Sequence, residues 1–440
     1  MTARQTLQLL RDHESRNILF VEPDGSWPIV WERANGVHVW DADGKKYLDL
    51  TAAFGVAAAG HANPSVVRAG QKQMAKLLHA MGDVHPHALK AQLARELSRV
   101  TFERWSSLPQ LKTKNSKLKT GKVIFSNSGF EAVESALKTA MLATKKNGVI
   151  AFEGGYHGLG YGALNATHRE HFSKPFRSQL RAFGHFAKFP AAKSDLKSLE
   201  LSLRKIFQLE KIGAILVEPV QARGGINIPP SQFLPLLRKL CDEHGALLIL
   251  DEIYTGFGRT GKWFACEHSG VIPDLICLGK ALTGGFPLSA CVGCADLMDA
   301  AWPASTGEAI HTSTFLGHPV GCAMALAQIA EIKKLKLPER SAELGKFLLA
   351  ELASIKNLKL KTKTAARGSG LMMGLELTLP DGKPATEAAL TAIKKLLHRG
   401  YIFLPEGEHA NVISFTPPLT ISKAQLIKAV AELKKVLTTD

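Results

Sequence analysis

The spacing of apolar and polar residues divides the chain into three stretches with different periods. Residues 1–20 read as a polar helix. Short apolar runs at Ile29–Trp31, Val37–Trp40 and Tyr47–Leu50 follow, split by Asn35-Gly36 and Asp43-Gly44. Both dipeptides favour the left-handed conformations of tight hairpins, so a small antiparallel meander is predicted. TAAFGVAAAGHANP then forms a glycine- and alanine-rich connection, and from Pro64 the period turns helical. PSVVRAGQKQMAKLLHAM and HALKAQLARELSRV are amphipathic, each with proline at or near the first turn.

From 121 to 330, short continuous apolar runs alternate with helical patterns. Strands are predicted at Val123–Phe125, Val149–Phe152, Ile212–Val217, Ala246–Leu250, Leu275–Leu278 and Leu288–Val292, with a helix from about Phe130 to Thr144. SQFLPLLRKLCDEHG is a further helix, with Ser231 as its N-cap and Gly245 just past its end. Such alternation predicts an α/β fold with a mostly parallel central sheet and helices on both faces. Leu288–Val292 follows its predecessor too closely for a crossover helix, so it should run antiparallel to it. A long helix over Gly321–Leu335, with room for a break, leads to a final region. Its predicted strands are LMMGLEL and NVISFT, and its predicted helices cover 384–398 and 421–438.

Composition changes this picture little. At 45% hydrophobic and 21% charged, 440 residues suit a globular protein of two or three domains. No apolar run is long enough to span a membrane, and MTARQTLQLLRDHESRN lacks a signal-peptide core, so a cytoplasmic protein is expected. Six cysteines without a secretory context are expected to be free thiols. Cys291 and Cys294 form a lone CxxC on an apolar strand with no second pair, a poor zinc signature, so no metal is expected. The net charge of +16 invites a nucleic-acid partner. Its densest run, KTKNSKLKTGK at 112–122, holds five lysines and no base-stacking aromatic, which argues for a solvated surface instead.

The chemistry gathers at the carboxyl ends of five predicted strands, the edge where open α/β sheets bind ligands. SNSG, after the first, opens a helix whose free first-turn amides suit an anion, or it is an N-capped helix with nothing bound. Tyr156 and His157 follow the second, placed to stack on a flat ring or serving structure alone. Glu218 follows the third, Asp251 ends the fourth and Lys280 follows the fifth. A lysine that forms an imine with an aldehyde cofactor, beside a carboxylate that holds a pyridinium nitrogen, fits the last two.

The stretches DADGKKYLDL, GHANP, SNSGFEAVESALK, YHG, VEPVQARGG, LLILDEIYTGFGRTG, LGKALTGGFPLSA and HTSTFLGHP resemble the class III, or omega-, aminotransferases of the 4-aminobutyrate aminotransferase kind. These are pyridoxal-phosphate enzymes of fold type I. The resemblance implies a large cofactor domain at 63–325 and a small α+β domain built from 1–62 and 326–440. It implies that Lys280 carries the internal aldimine and shuttles the proton, while Asp251 keeps the pyridine nitrogen protonated. Gly129 and Phe130 offer amides to the phosphate, helped by Ser128. Tyr156 stacks on the ring, Ile253 packs on its other face, and His157, Glu218 and Tyr254 complete the cofactor contacts. Thr314 reaches the phosphate of a neighbouring subunit, which makes the enzyme a homodimer. Phe54, Arg223 and Ser414 are the implied substrate contacts.

Several positions depart from the family pattern. Phe130 stands where Thr, Ala or Ser is usual, and Tyr254 where Gln is common. Ser414 replaces the arginine that holds a substrate α-carboxylate, and Arg223 replaces the glutamate that pairs with that arginine. Arg223 is therefore read as the carboxylate clamp, with a salt-bridged loop residue as the alternative. The implied reaction is ping-pong transfer of an amino group from an amine or omega-amino acid to a keto acid. Racemase or epimerase, aminomutase and decarboxylase chemistry remain open on the same scaffold, as does a non-catalytic nucleic-acid-associated role.

Overall fold

The structure, a computed structural model, describes residues 1–108 and 120–438, so most of the lysine-rich stretch at 112–122 lies outside the described residues. Among the described residues, the largest sheet has seven strands. In spatial order they are Gly121–Ser126, Ser289–Cys294, Leu275–Leu278, Leu247–Asp251, Ile212–Val217, Gly148–Phe152 and Gly184–Ala187. All neighbours are parallel except Ser289–Cys294, which runs antiparallel to both of its own, as expected from its short connection. Alternate residues of each strand enter opposite cores. Ile215, Val217, Leu248 and Leu250 join one cluster, whereas Ala214, Leu216 and Ile249 join the other. Every residue of Ile212–Val217 is buried, the pattern of a parallel strand covered on both faces.

The helix Gly129–Thr144 covers the second face with small residues, Ala132, Ala136 and Ala140, that let it approach the sheet closely. The helix Phe233–His244 ends at Gly245 with φ +59°, the left-handed cap anticipated there. Its start differs from expectation. Ser231 is not the cap; Phe233 donates instead to the Pro230 carbonyl at 2.9 Å, because the Pro229-Pro230 pair turns the chain into the helix. The N-terminal helix is also shorter than expected. It covers Ala3–His13 and gives way to a turn in which Ile18 N–H donates to Ser15. The helix Pro319–Lys334 is unbroken, and the break falls after it, at Lys336 with φ +48°. The edge strand Gly184–Ala187 was not anticipated, because GHFA carries too little apolar character to signal one.

Two four-stranded sheets flank the core. In one, the meander Trp31–Asn35, His38–Asp41 and Lys46–Asp49 is joined in parallel by Tyr401–Ile402. In the other, Lys363–Ser369, Met372–Thr378, Val412–Phe415 and Leu404–Glu406 pair antiparallel. The predicted strands LMMGLEL and NVISFT are the middle two of these. All six cysteines are free. Among the described residues, no helix is long and apolar enough to cross a membrane.

Candidate active site

Because the parallel strands share a direction, Phe152, Val217, Asp251 and Leu278 all end at one edge of the sheet. Gly121–Ser126 ends there too, since two antiparallel steps restore its direction. Asp251 is 5% exposed, with Oδ2 2.7 Å from His157 Nδ1, and its Oδ1 accepts the Ile253 N–H at 3.1 Å. Burial pulls the His157 imidazole down, but the hydrogen bond and charge of Asp251 outweigh it and hold the ring above its ordinary value. Glu218 is buried, with its two oxygens accepting the Tyr156 N–H at 2.9 Å and the Ala222 N–H at 3.1 Å. Burial, reinforced by Asp251, pushes the Glu218 carboxyl up to about 7. The adjacent Glu252 does different work. It accepts from Thr255, Ala265 and Cys266, pinning the loop that follows.

Lys280 follows Gly279 in a short turn with φ +37°, a conformation that costs a non-glycine residue roughly 1–3 kcal/mol and signals a functional constraint. Its Nζ lies 4.7 Å from the centre of the Tyr254 ring. Burial lowers the Lys280 pKa, opposed by the charges of Asp251, Glu218 and Glu406. Tyr254 is buried and its hydroxyl pairs with Thr416 Oγ1 at 3.1 Å; Thr416 in turn donates to the Thr51 carbonyl. A Cβ at Gly55 would stand 2.7 Å from the Tyr254 ring, so this ring fills the space that glycine leaves. Ile253 sits between two turns in the same way: a Cβ at Gly129 would lie 3.1 Å from it, and one at Gly279 3.3 Å.

The SNSG turn opens the helix as expected; a capping box joins Ser128 and Glu131, whose carboxylate also accepts the Asn127 N–H, and the Gly129 and Phe130 amides lie at its open first turn. Ser128 donates its amide and its hydroxyl to Glu131, at 2.7 and 2.9 Å, and its carbonyl accepts from Ser289. Phe130 is 38% exposed and its side chain lies over Gly158 and Gly160. A Cβ at Gly158, where φ is +104°, would stand 2.3 Å from Phe130 Cβ. The bulky residue is thus accommodated by glycines opposite it. Gly158→Ala should therefore destabilise the protein by about 2–4 kcal/mol through backbone strain and overpacking, read from the urea midpoint.

Arg223 Nη1 lies 3.3 Å from Glu406 Oε2, and the charges of both are felt at Lys280. The Arg223 carbonyl accepts Arg169 Nη2 at 2.9 Å and the Gly407 N–H at 3.1 Å. Ser414 is buried and donates to the Leu404 carbonyl at 2.9 Å. Phe54 is half exposed at the end of three successive non-glycine residues with positive φ, Ala52, Ala53 and Phe54, in a turn that packs against the Lys280 turn. It lines an apolar cavity of about 350 Å³ with Trp27, Trp31 and Leu404. Tyr156 is half-buried, edge-on to Phe172. Thr314 is exposed in the 314–317 turn, and no described hydrogen bond joins it to the Lys280 cluster.

Sequence reasoning missed Glu406 and Arg169. Glu406 carried a usable signal, since YIFLPE is another apolar run ending in an acid, but the strand is only three residues long. Arg169 has no such signal, because it lies in an irregular polar stretch.

Residues 21–437 match the model of the aminotransferase class-III family, and the chain belongs to that family. It is therefore a pyridoxal-phosphate-dependent aminotransferase of fold type I. It is 36% identical over 427 residues to the putrescine aminotransferase of Pectobacterium atrosepticum, covering 95% of this chain and 84% of that one. It is 34% identical over 424 residues to the acetylornithine aminotransferase of Methanosarcina mazei, covering 96% and 95%. An amine transaminase of an uncultivated Pseudomonas species, solved in its pyridoxal-phosphate-bound form, superposes with a TM-score of 0.85 at 28% identity, covering 97% of this chain and 98% of that one.

Proposed function

We propose that the Lys280–Asp251 edge holds pyridoxal phosphate, and that the enzyme moves an amino group from a terminal-amine donor to a keto acid by a ping-pong route. The observation that carries this reading is the convergence of a buried carboxylate fixed by His157 and a lysine of depressed pKa on one sheet edge. The residues present suit the cofactor. First-turn amides at Gly129 and Phe130 suit its phosphate. Asp251 is oriented to receive a pyridinium N–H, and Tyr156 and Ile253 offer flat and aliphatic surfaces to the ring. When bound, pyridoxal phosphate supplies an aldehyde that condenses with amines and a ring that withdraws electrons from the carbon bearing the nitrogen.

With the cofactor bound, the Lys280 amine would hold it and, once a donor takes that place, would accept the proton from the donor carbon and return it on the cofactor side. A lowered pKa favours the neutral amine that both tasks need. Asp251 would face the ring nitrogen with one oxygen while His157 holds the other. Glu218 and Tyr254 border the ring. The names of the relatives, putrescine and acetylornithine aminotransferase, support a donor with a primary amine at a chain end. Arg223 is the clamp for the acceptor's carboxylate, since Ser414 offers no charge and its hydroxyl is already engaged. Phe54 and its apolar cavity receive the aliphatic part of the substrate. In a homodimer, the exposed Thr314 would reach the phosphate of the partner's cofactor. Six unpaired thiols support a reducing, cytoplasmic setting.

The absorption spectrum of the purified protein tests the cofactor and the donor together. A yellow band that bleaches on adding putrescine or another terminal amine without keto acid is expected. A colourless protein that pyridoxal phosphate does not restore would refute the assignment at Lys280. Arg223→Ala should raise KM for keto acids roughly 10- to 100-fold while leaving KM for an amine donor without a carboxylate unchanged. Steady-state kinetics with each substrate varied in turn checks this.

A further inference from the structure

Thr51 and Thr416 each follow a strand of one of the four-stranded sheets, and both reach Lys280 through Tyr254. The direction of these hydrogen bonds decides which part of Tyr254 is left to act. The Thr416 hydroxyl has one proton and gives it to the Thr51 carbonyl at 3.3 Å. The 3.1 Å bond between Tyr254 and Thr416 is therefore donated by the phenol, whose single proton is committed to it. Burial pushes the Tyr254 hydroxyl up to about 12, so it stays a neutral phenol at working pH. The ring is fixed as well. It packs with Val220, Ala222, Ile226 and Met372, and the Gly55 backbone closes on it so tightly that a Cβ there would stand 2.7 Å away. The Lys280 amine lies over the face of this ring, 4.7 Å from its centre. Among the described residues, none forms a hydrogen bond with that amine, so the ring is the contact that locates it.

We infer that Tyr254 is a positioning residue whose ring face, and not its hydroxyl, receives the Lys280 amine whenever that amine is protonated and not joined to the cofactor. The inference rests on Lys280 being the amine that holds the cofactor. An ammonium over an aromatic face is attracted by the negative charge of the ring's face, and more strongly where water is excluded. Lys280 needs such a place once a donor has displaced it, because its four-carbon stem is otherwise free to turn. The proton leaving the donor carbon then sits on Nζ, while the electron pair of the broken C–H bond stays with the carbon and the cofactor. The ring holds the resulting ammonium within reach until the proton is returned.

The same contact sets the pH at which Lys280 becomes a nucleophile. Burial and the charge of Arg223 disfavour the ammonium, whereas Asp251, Glu218 and Glu406 favour it. All of these groups stay in place when residue 254 is changed, so a difference between variants at 254 reports the ring. Without the aromatic face the ammonium is less stabilised, and the neutral amine appears at lower pH. The neutral amine is the form that attacks an aldehyde, so capture of pyridoxal phosphate should then set in at lower pH.

The test is the rate at which the full-length chain, freed of cofactor, turns yellow with pyridoxal phosphate, followed across neutral and alkaline pH. Tyr254→Phe should keep the pH at which this rate rises, whatever its effect on the rate itself, because the face survives the loss of the hydroxyl. Tyr254→Leu should move the rise lower by about half to one pH unit. Mono-, di- and trifluorophenylalanine at position 254 keep the size of phenylalanine while draining negative charge from its face. They should move the rise in the same direction in successive steps, and they decide the matter if the leucine variant does not fold. If the leucine and fluorinated variants all keep the Tyr254→Phe profile, the ring only packs, and the inference falls while Lys280 stands. If Tyr254→Phe moves the profile as far as Tyr254→Leu, the hydroxyl acts instead and the inference falls. If the wild-type chain never turns yellow, the assignment of Lys280 falls and takes the inference with it.

Discussion

Lys280→Ala should lower kcat by about 10⁴-fold or more, because on the proposed reading it removes both the amine that receives the cofactor and the base that moves the proton. The loss should appear in a single half-reaction with one donor, so it is separable from slow product release. The turn explains why a neighbour cannot take over. Lys280 holds a left-handed backbone behind Gly279, and its Nζ is aimed over the Tyr254 ring between Asp251, Glu218 and Glu406. Lys280→Arg should be equally inactive, since a guanidinium stays protonated at any working pH and cannot act as base or nucleophile. Either variant should still bind pyridoxal phosphate without the yellow band of the wild type. Transamination retained within tenfold in Lys280→Ala would transfer the chemistry to a different group.

Asp251→Asn should cost roughly 10²–10⁴-fold in kcat with little change in KM for the donor, the pattern of a group that acts on charge developing in the reaction. The asparagine keeps the shape and the contact with Ile253 N–H but loses the anion. It also leaves His157 without the charge that holds its pKa up, so the imidazole becomes neutral in the buried site. If Asp251 holds the ring nitrogen as proposed, the affected proton is the one on that nitrogen, and the absorption band should shift along with the loss of rate. Asp251→Glu should recover less than expected for a retained charge, because the extra methylene misplaces it against His157 at 2.7 Å. A rate for Asp251→Asn near that of the wild type would mean that another group holds the ring nitrogen.

The large sheet was readable because its inner parallel strands are short apolar runs that stop at, or within two residues of, a charged one. LLILDE and DLICLGK show both the strand and the charge at its end in the same few residues. Gly184–Ala187 was not readable, since an edge strand of four mixed residues gains its identity from pairing with Gly148–Phe152 alone. Local patterns also foretold the Gly245 cap but not the start of the same helix, where Pro230 outcompeted the Ser231 side chain. At the site, Asp251, Glu218 and Lys280 were legible from position. The partners of Arg223 were not, because Glu406 and Arg169 come from segments 183 and 54 residues away, and only the folded chain brings them together. The pairing of Asp251 with His157, 94 positions apart, was hidden for the same reason.

The hydroxyl of Thr416 joins Tyr254 to Thr51, a residue made 365 positions earlier. Synthesis at about 5–20 residues per second separates their emergence by roughly 20–70 s. During that interval the wall beside Lys280 has no Tyr401–Ile402 to pair with Lys46–Asp49 and no Thr416 to hold the phenol. The central sheet is complete by Cys294 and has time to fold first. The pocket is therefore finished last, by the arrival of the C-terminal strands, and a nascent chain that stops between Cys294 and Tyr401 has the sheet edge but not the wall that Thr416 and Tyr401–Ile402 complete.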